Sequence, residues 1–382
     1  MTNIRVRTIL LAVSLGLLFL QLCKDSNFRV TISLNNKVRE EDGEVRKPAA
    51  NNQYVYTWPK CQQNTSAAKV ENFSSLPLHI QDFLYHKHCR HFPMLLDVPD
   101  KCGGADESAE VFLLLVIKSF PDHFQRREVL RKTWAKERLQ NGVQIRRIFL
   151  LGATGSGFEG GRRNRLIELE QKEYNDVLQW DFSDTLYNLT LKQVLFLEWM
   201  ERNCPKARFL LNGNDDVFVN TVNVVEYLQG LRDNDGSKHL FTGFLVENKV
   251  PSRLADNRYY VPVQIQQKDY YPPYCSGGGF LLSGYTAMIV YKMSKLVDFI
   301  PIDDIYIGMC LDYAELGVVP HVGVRIFGLN MSSQHVDESE PCFYKDLLMV
   351  HRFLPSRVYH MWHRINDPNL KCKHAKKSVL CW

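Results

Sequence analysis

The chain has 382 residues, 45% of them hydrophobic and 12% aromatic, enough apolar material for one large or two ordinary domains, which excludes disorder as the main state. Forty-seven Lys and Arg against 42 Asp and Glu leave a net charge of +5 with the two signs intermixed, an arrangement that argues against dedicated nucleic-acid binding. The 10 cysteines are scattered without a C-x-x-C unit, which suggests disulfides rather than zinc.

In chain order, residues 9–23 form the one long apolar run, with Arg5 and Arg7 before it and Lys24 and Asp25 after it. The run is shorter than the roughly 20 residues that span an average bilayer, so its length alone also fits a signal-peptide core. No small-x-small cleavage pattern follows, and the reading taken is an uncleaved signal anchor. Residues 1–8 then stay cytosolic, and everything after residue 24 is lumenal, which is type II topology. Residues 24–60 are polar, carry no apolar period and read as a flexible stem. Sequons at Asn64, Asn72, Asn188 and Asn330 fit a glycosylated lumenal chain. An odd number of cysteines follows the anchor, leaving one thiol free or intermolecular. The histidine-rich segment 85–91 lacks a matching downstream ligand pair and does not read as a metal site.

From residue 61 to about 110 runs a cysteine-bearing extension, and at residue 111 a pattern of alternating strands and helices begins. Residues 111–117 are continuously apolar, as in a strand covered on both faces. A helix starting at Pro121 and Asp122 buries Val129, Leu130 and Trp134. A strand over 145–151, a helix over about 162–174 and a strand over 177–180 follow. Thr190 and Gln193 suggest a capping box ahead of a helix bearing Leu191, Val194, Leu195 and Trp199, and 209–211 is a further strand. This order implies an α/β fold whose mainly parallel sheet has helices on both faces and functional residues just after the strands. Gly155-Ser-Gly157-Phe-Glu-Gly160, with Asp176 beyond it, formally matches a dinucleotide fingerprint. It follows the second strand rather than the first, however, and reads as a surface loop.

After the strand at 209–211 comes Asn214-Asp215-Asp216, which places carboxylates at the end of an apolar segment. Two acids there are costly unless a cation joins them, and a hard divalent ion shared with a diphosphate is the natural partner. With the acidic turn, several separated segments resemble glycosyltransferase family 31, the β-1,3-glycosyltransferases of GT-A fold. They are Arg126-Arg-Glu-Val-Leu-Arg-Lys-Thr-Trp134, the segment from Trp180 to Lys192, Tyr271-Pro-Pro-Tyr-Cys-Ser-Gly-Gly-Gly-Phe280 and Pro301-Ile-Asp-Asp-Ile-Tyr-Ile-Gly-Met-Cys-Leu311. The segments 83–93 and 341–355 most resemble the β-1,3-N-acetylglucosaminyltransferases, with the likeness strongest to the branch that extends core 1 O-glycans.

The resemblance implies a Golgi, single-pass type II enzyme with a lumenal catalytic domain over 61–382. It would move GlcNAc from UDP-GlcNAc, with Mn²⁺ as metal, to galactose-terminated glycans such as core 1 or N-acetyllactosamine. Its surroundings would be the Golgi membrane and glycoprotein or glycolipid acceptors, with either a second copy of itself or other transferases as candidate oligomer partners. By resemblance Asp216 and His351 are metal ligands, and Asn214 and Asp215 face the donor. Asp304 is the base, with Asp303 second and also readable as a helix cap. Tyr274, Gly277, Gly278 and Gly279 line the substrate pocket. Arg127 and Arg131, one helical turn apart, either bind donor phosphate or form a solvated helix face. Cys275 with Cys310, and Cys372 with Cys381, are candidate disulfides. The chain departs from the family at Asn214, where an aspartate is usual. A β-1,3-galactosyltransferase remains the alternative within the same class, and a catalytically weak glycan-binding or partner-binding protein the alternative outside it.

Overall fold

The computed structural model describes residues 61–154, 158–326 and 340–372. The expected tail, anchor and stem, the sequon at Asn330, the loop glycines 155 and 157, and Cys381 lie outside the described residues. Among the described residues no helix is long and apolar enough to cross a membrane.

The extension begins with two short 3-10 turns and α1 (Leu78–His86), packed around Phe73, Leu76, Ile80 and Leu84. The Cys61–Cys89 disulfide closes it. β1 (Met94–Leu96) and α2 (Gly104–Glu107) lead into β2 (Val111–Lys118), all eight of whose residues are buried. Leu114 and Val116 enter one core while Leu113, Leu115 and Ile117 enter the other, which is why this strand reads as an unbroken apolar run. Cys102 is bonded to Cys204, tying the segment ahead of β2 to a later helix end.

The repeating part continues through α3 (Phe124–Lys132), β3 (Arg138–Gln140), β4 (Val143–Ala153), α4 (Phe158–Tyr174), β5 (Val177–Ser183), α5 (Leu189–Asn203) and β6 (Phe209–Asn214). The expected capping box at the start of α5 does not form. The N-cap is Asn188 and makes no side-chain cap bond, while Thr190 and Gln193 face inward: Thr190 donates to the Ile300 carbonyl and Gln193 accepts from Asn212. Beyond β6 come β7 (Val217–Val219), α6 (Thr221–Gln229), β8 (Phe241–Val246), β9 (Tyr274–Ser283), α7 (Gly284–Ser294) and α8 (Asp303–Tyr313). Then follow β10 (Val319–Pro320), β11 (Val324–Arg325), α9 (Pro341–Lys345), β12 (Met349–His351) and α10 (Pro355–Ile365).

The large sheet has the order β1-β5-β4-β2-β6-β9-β8-β10, with β3 beside β4. β5, β4, β2 and β6 are parallel, but β9 is antiparallel to both β6 and β8, and β1 is antiparallel to β5. The expected mainly parallel sheet is therefore mixed. Its antiparallel half is built by β8 and β9, where glycines and polar residues interrupt the apolar pattern. A second sheet, β11-β12-β7, lies beside the end of β6. One core packs α5, α7 and α8 on one face of the large sheet, and the other packs α3, α6, α10 and the small sheet on the opposite face.

Two expected disulfides are corrected. Cys372 pairs with Cys342, and Cys275 and Cys310 are buried free thiols. Both thiols sit in elements that pack into one core, where burial raises their pKa and keeps them protonated.

Candidate active site

The parallel strands β2 and β6 end side by side, with Lys118 opposite Asn214. The chain then turns through Asp215 and Asp216 and resumes as β7, which pairs with β12 so that His351 lies opposite Val217, one residue past Asp216. This register brings two distant segments together, with His351 Nε2 at 3.2 Å from Asp216 Oδ1. The pair is not aligned as a hydrogen bond, and Asp216 Oδ1 is buried without a hydrogen-bond partner. The turn after β12 is pinned to the acidic turn: Arg352 adopts a left-handed φ of 69° and Phe353 donates its N–H to the Asp216 carbonyl at 2.8 Å. Burial alone would raise the Asp216 pKa, but His351 and Arg126 outweigh it and hold the carboxyl below its ordinary value.

Asp215 is satisfied by the protein. It accepts from Ser119 Oγ and His123 Nδ1, both at 2.7 Å, and from Arg126 Nη1 at 3.0 Å. Asn214 ends β6 half-buried beside this network. On the far side of His123 a cavity of about 480 Å³ opens between Phe120, Pro121, Thr154, Arg163 and Asp184, at the carboxyl ends of β2, β4 and β5. Lys192 from α5 reaches beneath it, donating to the Ser119 carbonyl at 2.7 Å and pairing with Asp184.

β9 crosses the site antiparallel to β6, with Gly279 opposite Gly213. The glycines here make room for the chain's own side chains. A Cβ on Gly278 would lie 2.7 Å from His351 Cγ, and one on Gly277 would lie 3.0 Å from Asp304 Oδ2. Tyr274, buried at the start of β9, has its hydroxyl pKa raised by burial, with Asp304 adding to the effect. Asp304 stands in the first turn of α8, where Oδ2 accepts the Gly277 N–H at 2.7 Å and Oδ1 accepts the Ile305 N–H at 2.8 Å. Burial, and then the neighbouring Asp303, push its pKa up to about 6, against Lys118 and the two N–H donors. Asp303 is buried and ion-paired with Lys118 from the end of β2. It does not cap α8, whose N-cap is Ile302.

The structure thus brings Asn214, Asp215, Asp216, His351, Asp303, Asp304, Tyr274 and the three glycines together where the central strands β2 and β6 end and β9 begins. Arg127 and Arg131 are elsewhere. Arg127 is fully buried, donating to both oxygens of Glu170, to Ser119 Oγ and to the carbonyls of Phe120 and Pro121. Arg131 is forked onto Asp176 and Glu170, and Arg147 joins it on Asp176. Burial alone would raise the Asp176 pKa, but the two arginines hold it low. The phosphate-binding and solvated-face readings of these arginines are both replaced by a core ion-pair network. That network also occupies Asp176, the acid of the dinucleotide fingerprint.

Sequence reasoning missed Lys118, His123, Arg126, Asp184 and Lys192. The available signal was a lysine inside an otherwise buried pattern, at the end of β2 and in the first turn of α5. The grouping of Cys61, His88 and Cys89 is a disulfide with a histidine beside it. Of the sequons, Asn64 and Asn72 are exposed, and Asn188 is half-buried and donates to the Ser183 carbonyl at 2.8 Å.

Residues 125–321 match the Galactosyltransferase family. The chain is 49% identical to human N-acetyllactosaminide beta-1,3-N-acetylglucosaminyltransferase 3, over 82% of each chain. It is 46% identical to human acetylgalactosaminyl-O-glycosyl-glycoprotein beta-1,3-N-acetylglucosaminyltransferase, over 84% of this chain and 82% of that one. With rat UDP-GlcNAc:betaGal beta-1,3-N-acetylglucosaminyltransferase 7 it shares 40% identity over 82% and 77% of the two chains. The chain belongs to the galactosyltransferase family.

Proposed function

We propose that this member of the galactosyltransferase family is an inverting β-1,3-N-acetylglucosaminyltransferase that moves GlcNAc from UDP-GlcNAc to the 3-hydroxyl of a terminal galactose on core 1 or N-acetyllactosamine glycans. The observation that carries the reading is the convergence of Asp216, His351 and Asp304 on the glycine segment of β9. The names of the relatives supply the donor and the acceptor class.

Asp216 and His351 suit a divalent cation such as Mn²⁺, because their facing atoms are close without a hydrogen bond and the buried Asp216 oxygen has no other partner. Such a cation, when bound, neutralises charge developing on the leaving diphosphate. The protein's own part is to hold the base. Asp304, fixed by the Gly277 and Ile305 N–H groups, takes the proton of the acceptor hydroxyl as that oxygen attacks the anomeric carbon from the face opposite UDP. The cavity beside His123 and Asp184 is the place for the nucleotide. The compartment that fits this substrate is the Golgi lumen, with residues 9–23 as a type II anchor and 24–60 as the stem.

The test is a donor and acceptor panel with the full-length chain, with UDP-GlcNAc and UDP-Gal offered to core 1 and N-acetyllactosamine acceptors in Mn²⁺ and in EDTA. Mn²⁺-dependent transfer of GlcNAc supports the reading. Transfer of galactose instead replaces the donor assignment, and the absence of transfer by folded protein replaces the enzyme reading with a binding one.

A further inference from the structure

The tandem acids at the start of α8 occupy two different environments, although they are adjacent in sequence and the same in chemistry. Asp303 is buried against Lys118, whose side chain comes from the central strand of the sheet. Asp304 is half-buried and held only by two backbone N–H groups. Two carboxylates this close disfavour ionising together unless a cation compensates one of them.

We propose that Lys118 and Asp303 are positioning residues that lock one carboxylate of the tandem into an ion pair and so leave Asp304 as the single proton acceptor of the site. The inference rests on Asp304 being the base. Two opposing charges act on Asp304: repulsion from Asp303 raises its pKa and attraction from Lys118 lowers it. The other titratable groups facing Asp304 are Tyr271, Tyr274 and Cys275, on β9 and the loop before it, all held protonated by burial. Behind Lys118 lies Lys192 of α5, already engaged by Asp184. Among the described residues Lys118 is thus the cation paired with Asp303 and acting on Asp304, and removing either member of its pair should move Asp304 in opposite directions.

Without the Asp303 charge, Lys118 is released toward Asp304 and the base stays ionised to lower pH. Without the Lys118 charge, the repulsion between the carboxylates is uncompensated and the base protonates at higher pH. The test is the acid limb of kcat/KM for the full-length chain in D303N, K118M, K118R and the K118M/D303N double variant. The expected result is a limb about one pH unit lower in D303N and about one unit higher in K118M, with K118R and the double variant close to the parent. A common direction in the two single variants, or no movement in either while circular dichroism shows both folded, overturns the proposal. If K118M fails to fold, D303N decides alone, and an unmoved limb overturns it. D304N separates the premise from the inference: full turnover in D304N removes the base itself, whatever the limbs of the other variants do.

Discussion

Two clusters of charge lie within the same fold and end in opposite states. In the first, Arg127, Arg131 and Arg147 meet Glu170 and Asp176 between α3, α4 and the sheet, and nearly every donor and acceptor is matched. In the second, at the ends of β6, β9 and β12, Asp215 is matched while Asp216 Oδ1 is left without a hydrogen bond and Asp304 keeps only backbone donors. Charged residues alone mark neither structure nor chemistry. What separates the clusters is the balance: a buried network closed on itself holds the fold together, and one left short of cations is prepared to receive them.

Substitutions should divide along that line. The largest effect is expected from Asp304→Asn, which should lower kcat by about 10²- to 10⁴-fold with the melting temperature unchanged, checked by initial rates beside a thermal melt. In the parent, the base should be lost as pH falls through a value of about 6, because its raised pKa keeps the inactive protonated form to that point. Arg131→Met should do the reverse, costing about 3–5 kcal/mol of stability by leaving Glu170 and Asp176 short of a cation. Urea unfolding reads that loss, and the folded fraction should keep its turnover. A smaller effect follows from Gly278→Ala, whose methyl group must displace the His351 ring. Mn²⁺ affinity should weaken about 10- to 100-fold, the range for disturbed ligand orientation, measured by metal titration of activity. The smallest belongs to Asn214→Asp, which should change turnover by less than about tenfold, or 1.4 kcal/mol, since Asp216 and His351 already form the pair. A rise from near zero would instead make Asn214 the lesion of an inactive chain.

The strands of the parallel half were legible where they are covered on both faces, as in β2 up to Ile117 and in β4 over Ile148–Leu151, because such stretches must be apolar. β9 was not, because the glycines that make room for His351 and Asp304 also erase its strand pattern. The acidic turn could be recognised from the cost of placing carboxylates at a strand end. His351 could be found only by family likeness, since nothing local distinguishes it from any half-buried histidine. Arg127 and Arg131 were misplaced because their partners Glu170 and Asp176 come from α4 and the turn after it, and spacing along one helix says nothing of what another helix brings. Lys118 was overlooked for the same reason, as its partner lies across the sheet at the start of α8.

The pairing of β7 with β12 sets the order in which a newly made chain becomes competent. The four neighbouring parallel strands β5, β4, β2 and β6 are all translated before residue 215, and they can begin to pack while the rest is still on the ribosome. His351 follows more than a hundred residues after β6, on a segment closed by the disulfide between Cys342 and Cys372. A chain without β12 and α10 would lose the imidazole together with Met349, Val350, Val358 and Met361, which cover one face of the large sheet, so the segment that completes the site also closes the core.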